Sequence, residues 1–569
     1  MAFELEMNAV SSLEKVFPDS GPADAFKSSS ALQGETFSFQ IAYRAPSLVK
    51  RLHAHVKAGK LPAEPSLFRV GLVPSELPGY GDEDDFVLKT TPGLYPDPLF
   101  PLTDTDELYA YPDQWRALFC EVYVLEGAEP GIYPIYICLS GRDDSTFGYQ
   151  KEWHGEVCFT LTVLPAKLPK LDIPHTEWFF TDCIATYYKM EVFSEAWWSM
   201  VGKYIENAVS HGINTILTPL FTPPLETAVG AERETVQLVS VTKTGSRYDF
   251  GFEKLERWIK LCLECGVEYF EMPHLFTQWG AEFTPKILVE ENGQEKKLFG
   301  WHIRSDSGAY HAFLEQFLPA VVSLINRYVE KDHVFFHISD EPSEAHAPQY
   351  EDLSRFVAGL VDGCLMIDAM SSLEVYRKSY ISAPVAAIDE IAPFIDDGIE
   401  NLWAYYACLQ NKSYITNRFF CFPSNRNRIL GIQLYKYKLC GFLQWGYNHW
   451  YSGLSVKEID PFRTTDADAC FPSGDAFLVY PGREGPVNSL RIAVLREAFQ
   501  DMMALRLLET FVGRAKTIGV LEEGIPPITF TDYPHETKWL LDARERVNTV
   551  IADQVCKRKK GRTILYPFL

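Results

Sequence analysis

The chain has 569 residues, 47% of them hydrophobic and 23% charged, with a formal net charge of −23. This composition excludes a disordered chain, and the length exceeds the roughly 250–300 residues at which single cores stop growing, so two or three packed domains are expected. The negative charge argues against nucleic acid and anionic lipid as partners, because it would repel both.

The N-terminus, Met1-Ala2-Phe3-Glu4-Leu5-Glu6, is acidic and shows neither the basic nor the apolar segment of an export signal. No window approaches the ~18 apolar residues of a membrane span. Together with 12 scattered cysteines, this predicts reduced thiols and a cytoplasmic location. Cys262 and Cys265 form a lone C-x-x-C in an apolar helical stretch. Zinc would need a second ligand pair, so packing is expected there.

Residues 1–165 read as an antiparallel β-sandwich. Phe37–Tyr43, Ala117–Val124 and Val157–Val163 alternate with period two, and Gly-Pro turns such as Glu129-Pro130-Gly131 separate such runs. Leu164-Pro165-Ala166-Lys167-Leu168-Pro169 reads as a stiff linker. From 166 to 512, helical patterns alternate with short apolar runs. Helices are expected over Ala196–His211, closed by Gly212, over Phe252–Cys265, closed by Gly266, and over Tyr310–Val329. Strands are expected at Trp178–Thr181, Asn214–Pro219, Val267–Glu271, Val334–Ser339, Leu365–Asp368, Val385–Ile388, Leu402–Tyr406 and Gly441–Trp445. Eight strands alternating with helices point to a (β/α)8 barrel, with a doubly wound sheet as the alternative. No Gly-rich nucleotide loop follows any strand, and no cofactor is expected. Residues 513–569 read as a helical extension ending in a solvated basic tail, Lys557 to Lys560 with Arg562.

In such a barrel, function sits at the C-terminal ends of the strands. The fourth candidate strand runs straight into Asp340-Glu341 and is stopped by Pro342. Two adjacent acids repel, which raises one pKa and suits a general acid. The competing reading is an N-cap pair for the next helix. Ordinary glycosidases set two carboxylates across the sugar, about 5–9.5 Å apart, yet the seventh strand ends Trp403-Ala404-Tyr405-Tyr406 without an acid. Asp389, Glu390 and Asp368 are the rival second acids. An adjacent pair fits better a route in which the sugar's own 2-acetamido oxygen attacks. The other mouths are aromatic and amide-rich: His274, Gln278 and Trp279 after the third strand, Trp445 and Asn448 at the eighth. Aromatic faces stack on sugars and amides read hydroxyls; packing is the alternative for each residue singly. No strand mouth offers two His and a carboxylate in one cluster, so no metal site is expected.

Several stretches carry a family resemblance. They are Leu94-Tyr95-Pro96-Asp97-Pro98-Leu99, His211-Gly212-Ile213-Asn214-Thr215, His274–Gly280, Ser339-Asp340-Glu341-Pro342, Asn417-Arg418-Phe419, Gly441–Gly446, Gly474-Asp475 and Ser489-Leu490-Arg491. From about residue 65 to about 510 the chain resembles glycoside hydrolase family 123, whose characterised members are exo-β-N-acetylgalactosaminidases. The resemblance implies a β-sandwich followed by a catalytic (β/α)8 barrel, and substrate-assisted, retaining catalysis. Asp340 would position the acetamido group and Glu341 would be the acid/base, with Tyr405 or Trp403 touching the acetamido group. Asn214, His274, Gln278, Trp279, Asp368, Trp445, Asn448, Asp475 and Arg491 would complete the sugar site. The segments His274–Gly280 and Asn417–Arg428 look like a sub-branch, which leaves open which C4 epimer is preferred. The alternatives are a glycosidase of other sugar specificity with a covalent two-carboxylate route, and a catalytically silent carbohydrate-binding protein.

Overall fold

The computed structural model describes residues 2–22, 24–62, 65–143 and 151–562. The chain divides into two compact units. One comprises 1–171, 418–436 and 487–569, the other 172–417 and 437–486.

The first unit holds two β-sheets. In one, Ala2–Glu4, Lys151–Lys167, Gly131–Asp143, Val49–Lys57 and Leu108–Ala110 lie side by side, with Ser28–Gln33 also paired to Lys151–Lys167. In the other, Glu6–Ser11, Thr36–Arg44, Arg116–Tyr123, Ser66–Ser75 and Gly93–Pro101 form an antiparallel run. Period-two alternation puts Phe39 and Ile41 of one sheet into a common core with Ile135, Ile137, Phe159 and Leu161 of the other. Phe39 stacks on Phe159 at 4.2 Å. The segment expected to be a linker is mostly strand, since Lys151–Lys167 continues through Leu164 and Pro165.

The unit boundaries differ from those expected. The helix Leu490–Val512 groups with the sheets and not with the barrel. The physical reason lies in its side chains. Leu490 and Ala493 enter a core with Val10, Val70 and Phe119. Arg491 forms a two-point pair with Asp97 (3.0 and 2.9 Å), Arg496 pairs with Glu121, and Gln500 bonds both Thr36 backbone groups. The helices Arg514–Leu521 and Thr537–Arg562 belong to the same unit. The basic run falls at the end of the latter, and the side chains of Lys559, Lys560 and Arg562 lie outside the described residues.

The second unit contains a closed parallel barrel of eight strands. They are His175–Glu177, Thr215–Leu217, Tyr269–Glu271, Val334–Phe336, Leu365–Met370, Ala383–Ala387, Trp403–Tyr405 and Phe442–Gln444. Seven overlap the expected positions. The first does not: Trp178–Thr181 follows the strand, and Thr181 opens the helix Thr181–Tyr188. The strand is His175–Glu177, whose polar side chains hide its β pattern; all three are buried. The expected helices appear as Glu195–Ser210, Glu253–Cys265 and Gly308–Ile325. The Ser194 hydroxyl accepts from Trp197 N–H to start the first of them. Gly266 ends the second at φ 94, a conformation open to glycine at no steric cost. Cys262 and Cys265 lie in that second helix. Two hairpins that the alternation pattern does not announce, Ser240–Gly251 and Ile287–Phe299, make a separate four-stranded sheet. Among the described residues, no helix is long and apolar enough to cross a membrane.

Candidate active site

Asp340 and Glu341 stand where the fourth strand leaves the barrel at its C-terminal end. Regular pairing stops at Phe336. Beyond it the backbone is held on both sides. Leu275 N–H, Phe276 N–H and Trp279 N–H donate to the carbonyls of His337, Ile338 and Asp340. The Ser339 hydroxyl donates to Thr277 O at 2.9 Å. On the other side the Asp368 carboxylate replaces a neighbouring strand, accepting from Ile338 N–H (3.1 and 3.2 Å) and Ser339 N–H (3.2 Å). Glu341 N–H donates to Ala369 O, and Glu341 itself sits at φ 46. A left-handed glutamate costs on the order of 1–3 kcal/mol and persists only when its surroundings over-determine it.

Both carboxyls line one opening of about 610 Å³, walled by Tyr405, Trp279, Trp445 and Glu226 among others. Burial drives both carboxyls above their ordinary range. For Asp340 the charges of Glu341 and Asp368 add to that, while for Glu341 a hydrogen bond from the Tyr405 hydroxyl (2.6 Å) works against it. The Glu341 charge beside Asp340 makes loss of a proton from one oppose its loss from the other. This is the chemistry of one acid and one carboxylate at a single point.

Beneath the pair lies a fully buried polar cluster. His337 is bonded to Asp368 through Nδ1 (2.8 Å) and to Glu271 through Nε2 (2.6 Å). Burial opposes charge on the imidazole, but these two carboxylates outweigh it and raise it to about 9. His337 is therefore a cation at neutral pH and donates from both nitrogens. Glu271 also accepts from Trp178 Nε1 (2.7 Å) and the Thr176 hydroxyl (2.5 Å), and Asp368 from the Tyr350 hydroxyl (2.5 Å). His274 stacks on His337 at 4.2 Å and is held neutral by burial and by that cation.

The sequence-based expectation that no two histidines and a carboxylate share a cluster is corrected here. His274, His337 and Asp368 bring ligand atoms within 4.8 Å of one another. The third strand's continuation delivers His274 and the fourth delivers His337, a proximity that only barrel closure creates. The donor set fits a metal poorly, since both His337 nitrogens already face carboxylates as donors and offer no lone pair.

The other anticipated sugar contacts divide. Gln278, Trp279, Tyr405 and Trp445 line the opening. Asp475 does not; it accepts from Trp445 Nε1 (2.9 Å) and Gln444 Nε2 (3.2 Å), and so orients the tryptophan. Asp368 and His274 lie in the buried layer below. Asn448 clamps both backbone groups of Phe180. Asn214 and Trp403 start the second and seventh strands, at the end of the barrel remote from the mouth. Asn214 braces His175 N–H and Ile173 O there, and Trp403 packs edge-on against Phe335. Arg491 belongs to the other compact unit, committed to Asp97. Of the rival acids, Asp389 is exposed and bonded by Gln410 at 3.0 Å. Sequence reasoning missed Glu226, which lies well past the second strand. Its signal was present as a lone acid directly after the apolar, Pro-rich run Pro219–Leu225.

The family model described as glycoside hydrolase 123, catalytic domain, matches residues 178–508. Among solved structures, a family 123 glycoside hydrolase from Clostridium perfringens, determined in work on glycolipid glycan hydrolysis, superposes with a TM-score of 0.71 at 12% identity, covering 99% of this chain and 100% of that one. A putative beta-galactosidase from Bacteroides fragilis aligns with a TM-score of 0.31 at 9% identity over 82% of this chain and 58% of the other. Curated proteins give no match.

Proposed function

This chain belongs to glycoside hydrolase family 123, and we propose that it removes a terminal β-linked N-acetylgalactosamine, or a related 2-acetamido hexose, from the non-reducing end of a glycan by substrate-assisted, retaining catalysis. The observation that carries this reading is the adjacent, half-buried pair Asp340 and Glu341 in one opening, with Tyr405 bonded to Glu341.

Glu341 gives its proton to the glycosidic oxygen as the bond to the anomeric carbon breaks. The acetamido oxygen attacks that carbon and closes an oxazoline ring. Asp340 accepts from the acetamido N–H and offsets the positive charge that develops there. Glu341, now a carboxylate, then takes a proton from the water that reopens the ring. No metal or cofactor enters the scheme. We propose a cytoplasmic location; thiol counting under denaturing conditions should find essentially all 12 cysteines reduced.

The test is a pair of variants on a panel of nitrophenyl glycosides and a glycolipid glycan. Glu341→Gln should slow substrates with poor leaving groups by roughly 10²–10⁴-fold and activated aryl glycosides much less. Asp340→Asn should slow both classes alike. A thiazoline mimic of the cyclised sugar should inhibit strongly. The covalent route needs a second carboxylate across the sugar. Asp389 and Asp368 do not line the opening, whereas Glu226 does. Labelling of Glu226 or Asp340 by a 2-fluoro sugar, with indifference to thiazoline, would overturn the substrate-assisted reading and leave the glycosidase standing.

A further inference from the structure

The lining of the opening contains a third carboxylate, Glu226. Everything around it is fixed. Its N–H donates to Gln278 Oε1 at 2.6 Å, and its carbonyl accepts from the Ser455 hydroxyl at 2.5 Å. One carboxylate oxygen, Oε1, accepts from Leu454 N–H at 2.6 Å. The preceding loop is pinned by Arg233, which donates to Pro223 O at 2.8 Å. Glu226 sits at φ 44, and Leu454 and Ser455, which clasp it, sit at φ 52 and 53. Three left-handed non-glycine residues at one contact are stored backbone strain, which persists only where the surroundings over-determine it.

The second oxygen, Oε2, has no hydrogen-bond partner among the described residues, and Glu226 lines the same opening as Asp340 and Glu341. The other side-chain oxygens that line it are committed. Asp340 and Glu341 are taken by the chemistry, Tyr405 by Glu341, and the Gln278 oxygen by Glu226 itself. A sugar placed with its anomeric carbon at Glu341 and its 2-acetamido group at Asp340 still has hydroxyls at C3, C4 and C6. Each is a donor that must find an acceptor once water is excluded. We propose that Glu226 is the specificity-determining residue of this pocket, its open carboxylate oxygen accepting a hydrogen bond from one of these hydroxyls. This rests on the assignment of a 2-acetamido sugar to the site.

The experiment measures kcat and KM of wild type, Glu226→Gln and Ser455→Ala on nitrophenyl 2-acetamido glycosides and their 3-, 4- and 6-deoxy forms. Gln keeps the Leu454 bond through its carbonyl and turns only the open oxygen into a donor, so the fold is preserved. Loss of a hydrogen bond to a charged acceptor is worth roughly 10–100-fold in kcat/KM. Glu226→Gln should lose about that factor on the full sugar, and nothing further on the one deoxy sugar whose missing hydroxyl already costs the wild type as much. Ser455→Ala should not change the ranking of the sugars. An equal loss on every deoxy sugar, or no loss on any, overturns the proposal, as does 2-fluoro labelling of Glu226. Wild type inactive on every 2-acetamido glycoside would instead refute the assignment on which the proposal rests.

Discussion

Two buried charge clusters, one in each compact unit, are built on opposite rules. In the sheet unit Asp501 is gripped by Arg428 (2.7 and 3.0 Å) and Arg544 (2.7 Å), which in turn reach Glu497 and Glu35. Burial pushes Asp501 up, yet the two guanidinium groups overcome it and hold the carboxyl below its ordinary range. In the barrel unit Asp340, Glu341, Asp368 and Glu271 are served by His337, a cation already committed to the last two. The upper pair is left to repel, and both its carboxyls are raised. Matched buried charge holds a structure in one arrangement. Unmatched buried charge costs stability and stores a proton, which is what an acid catalyst needs.

The largest expected effect comes from unmatching the matched cluster. Asp501→Asn leaves Arg428 and Arg544 with too few partners, and breaking a buried pair by removing one member costs about 3–5 kcal/mol. The midpoint of urea unfolding should fall accordingly, while KM of the molecules that remain folded should not move. Because the native carboxyl is held low, its contribution is present above the unfolded pKa of about 4 and fades as pH falls through the folded value. The gap between variant and wild type should therefore close in acid. A constant gap would mean that the two arginines do not grip a charge.

His337 comes next. Its imidazole is raised from 6.5 to about 9, so its contribution is fully present below pH 6.5 and is lost as pH rises through 9. The shift corresponds to about 3 kcal/mol. Wild-type stability should decline over that window, and His337→Gln, less stable at neutral pH, should lose the part of that decline that the imidazole supplies, leaving the shallower slope of the raised carboxyls. Unchanged pH dependence in the variant would show that the cation lies elsewhere.

How much of this was legible in the sequence follows from the range of each interaction. The barrel and the Asp340-Glu341 mouth could be read because each rests on local pattern: an apolar run, two acids, a proline. The first strand was misplaced because His175-Thr176-Glu177 are polar residues facing a buried cluster, which defeats any hydrophobic period. Asn214, Trp403 and Arg491 were assigned to sugar because motif residues reveal importance but not end of barrel or unit. His274 meeting His337, and Glu226 meeting Leu454, are long-range juxtapositions that no spacing along the chain announces.

The smallest expected effect has the opposite sign to the first. Asp340→Asn removes one charge from the unmatched pair and keeps the shape of the side chain. At neutral pH the wild type carries the cost of holding Asp340 and Glu341 together in a buried opening. Relieving such repulsion falls in the usual range for single stabilising changes, about 0.5–2 kcal/mol. The sign with pH also follows. A carboxyl raised in the folded state favours folding while protonated and disfavours it progressively as pH climbs through the folded value. The advantage of Asn should thus be absent in acid, appear as pH rises, and be largest in mild alkali, where the wild type is forced to carry both charges. Thermal unfolding across pH 4 to 9 checks it. If Asp340→Asn is the less stable protein at neutral pH, then Asp340 is a matched charge after all, and the contrast between the two clusters fails at the site it was meant to explain.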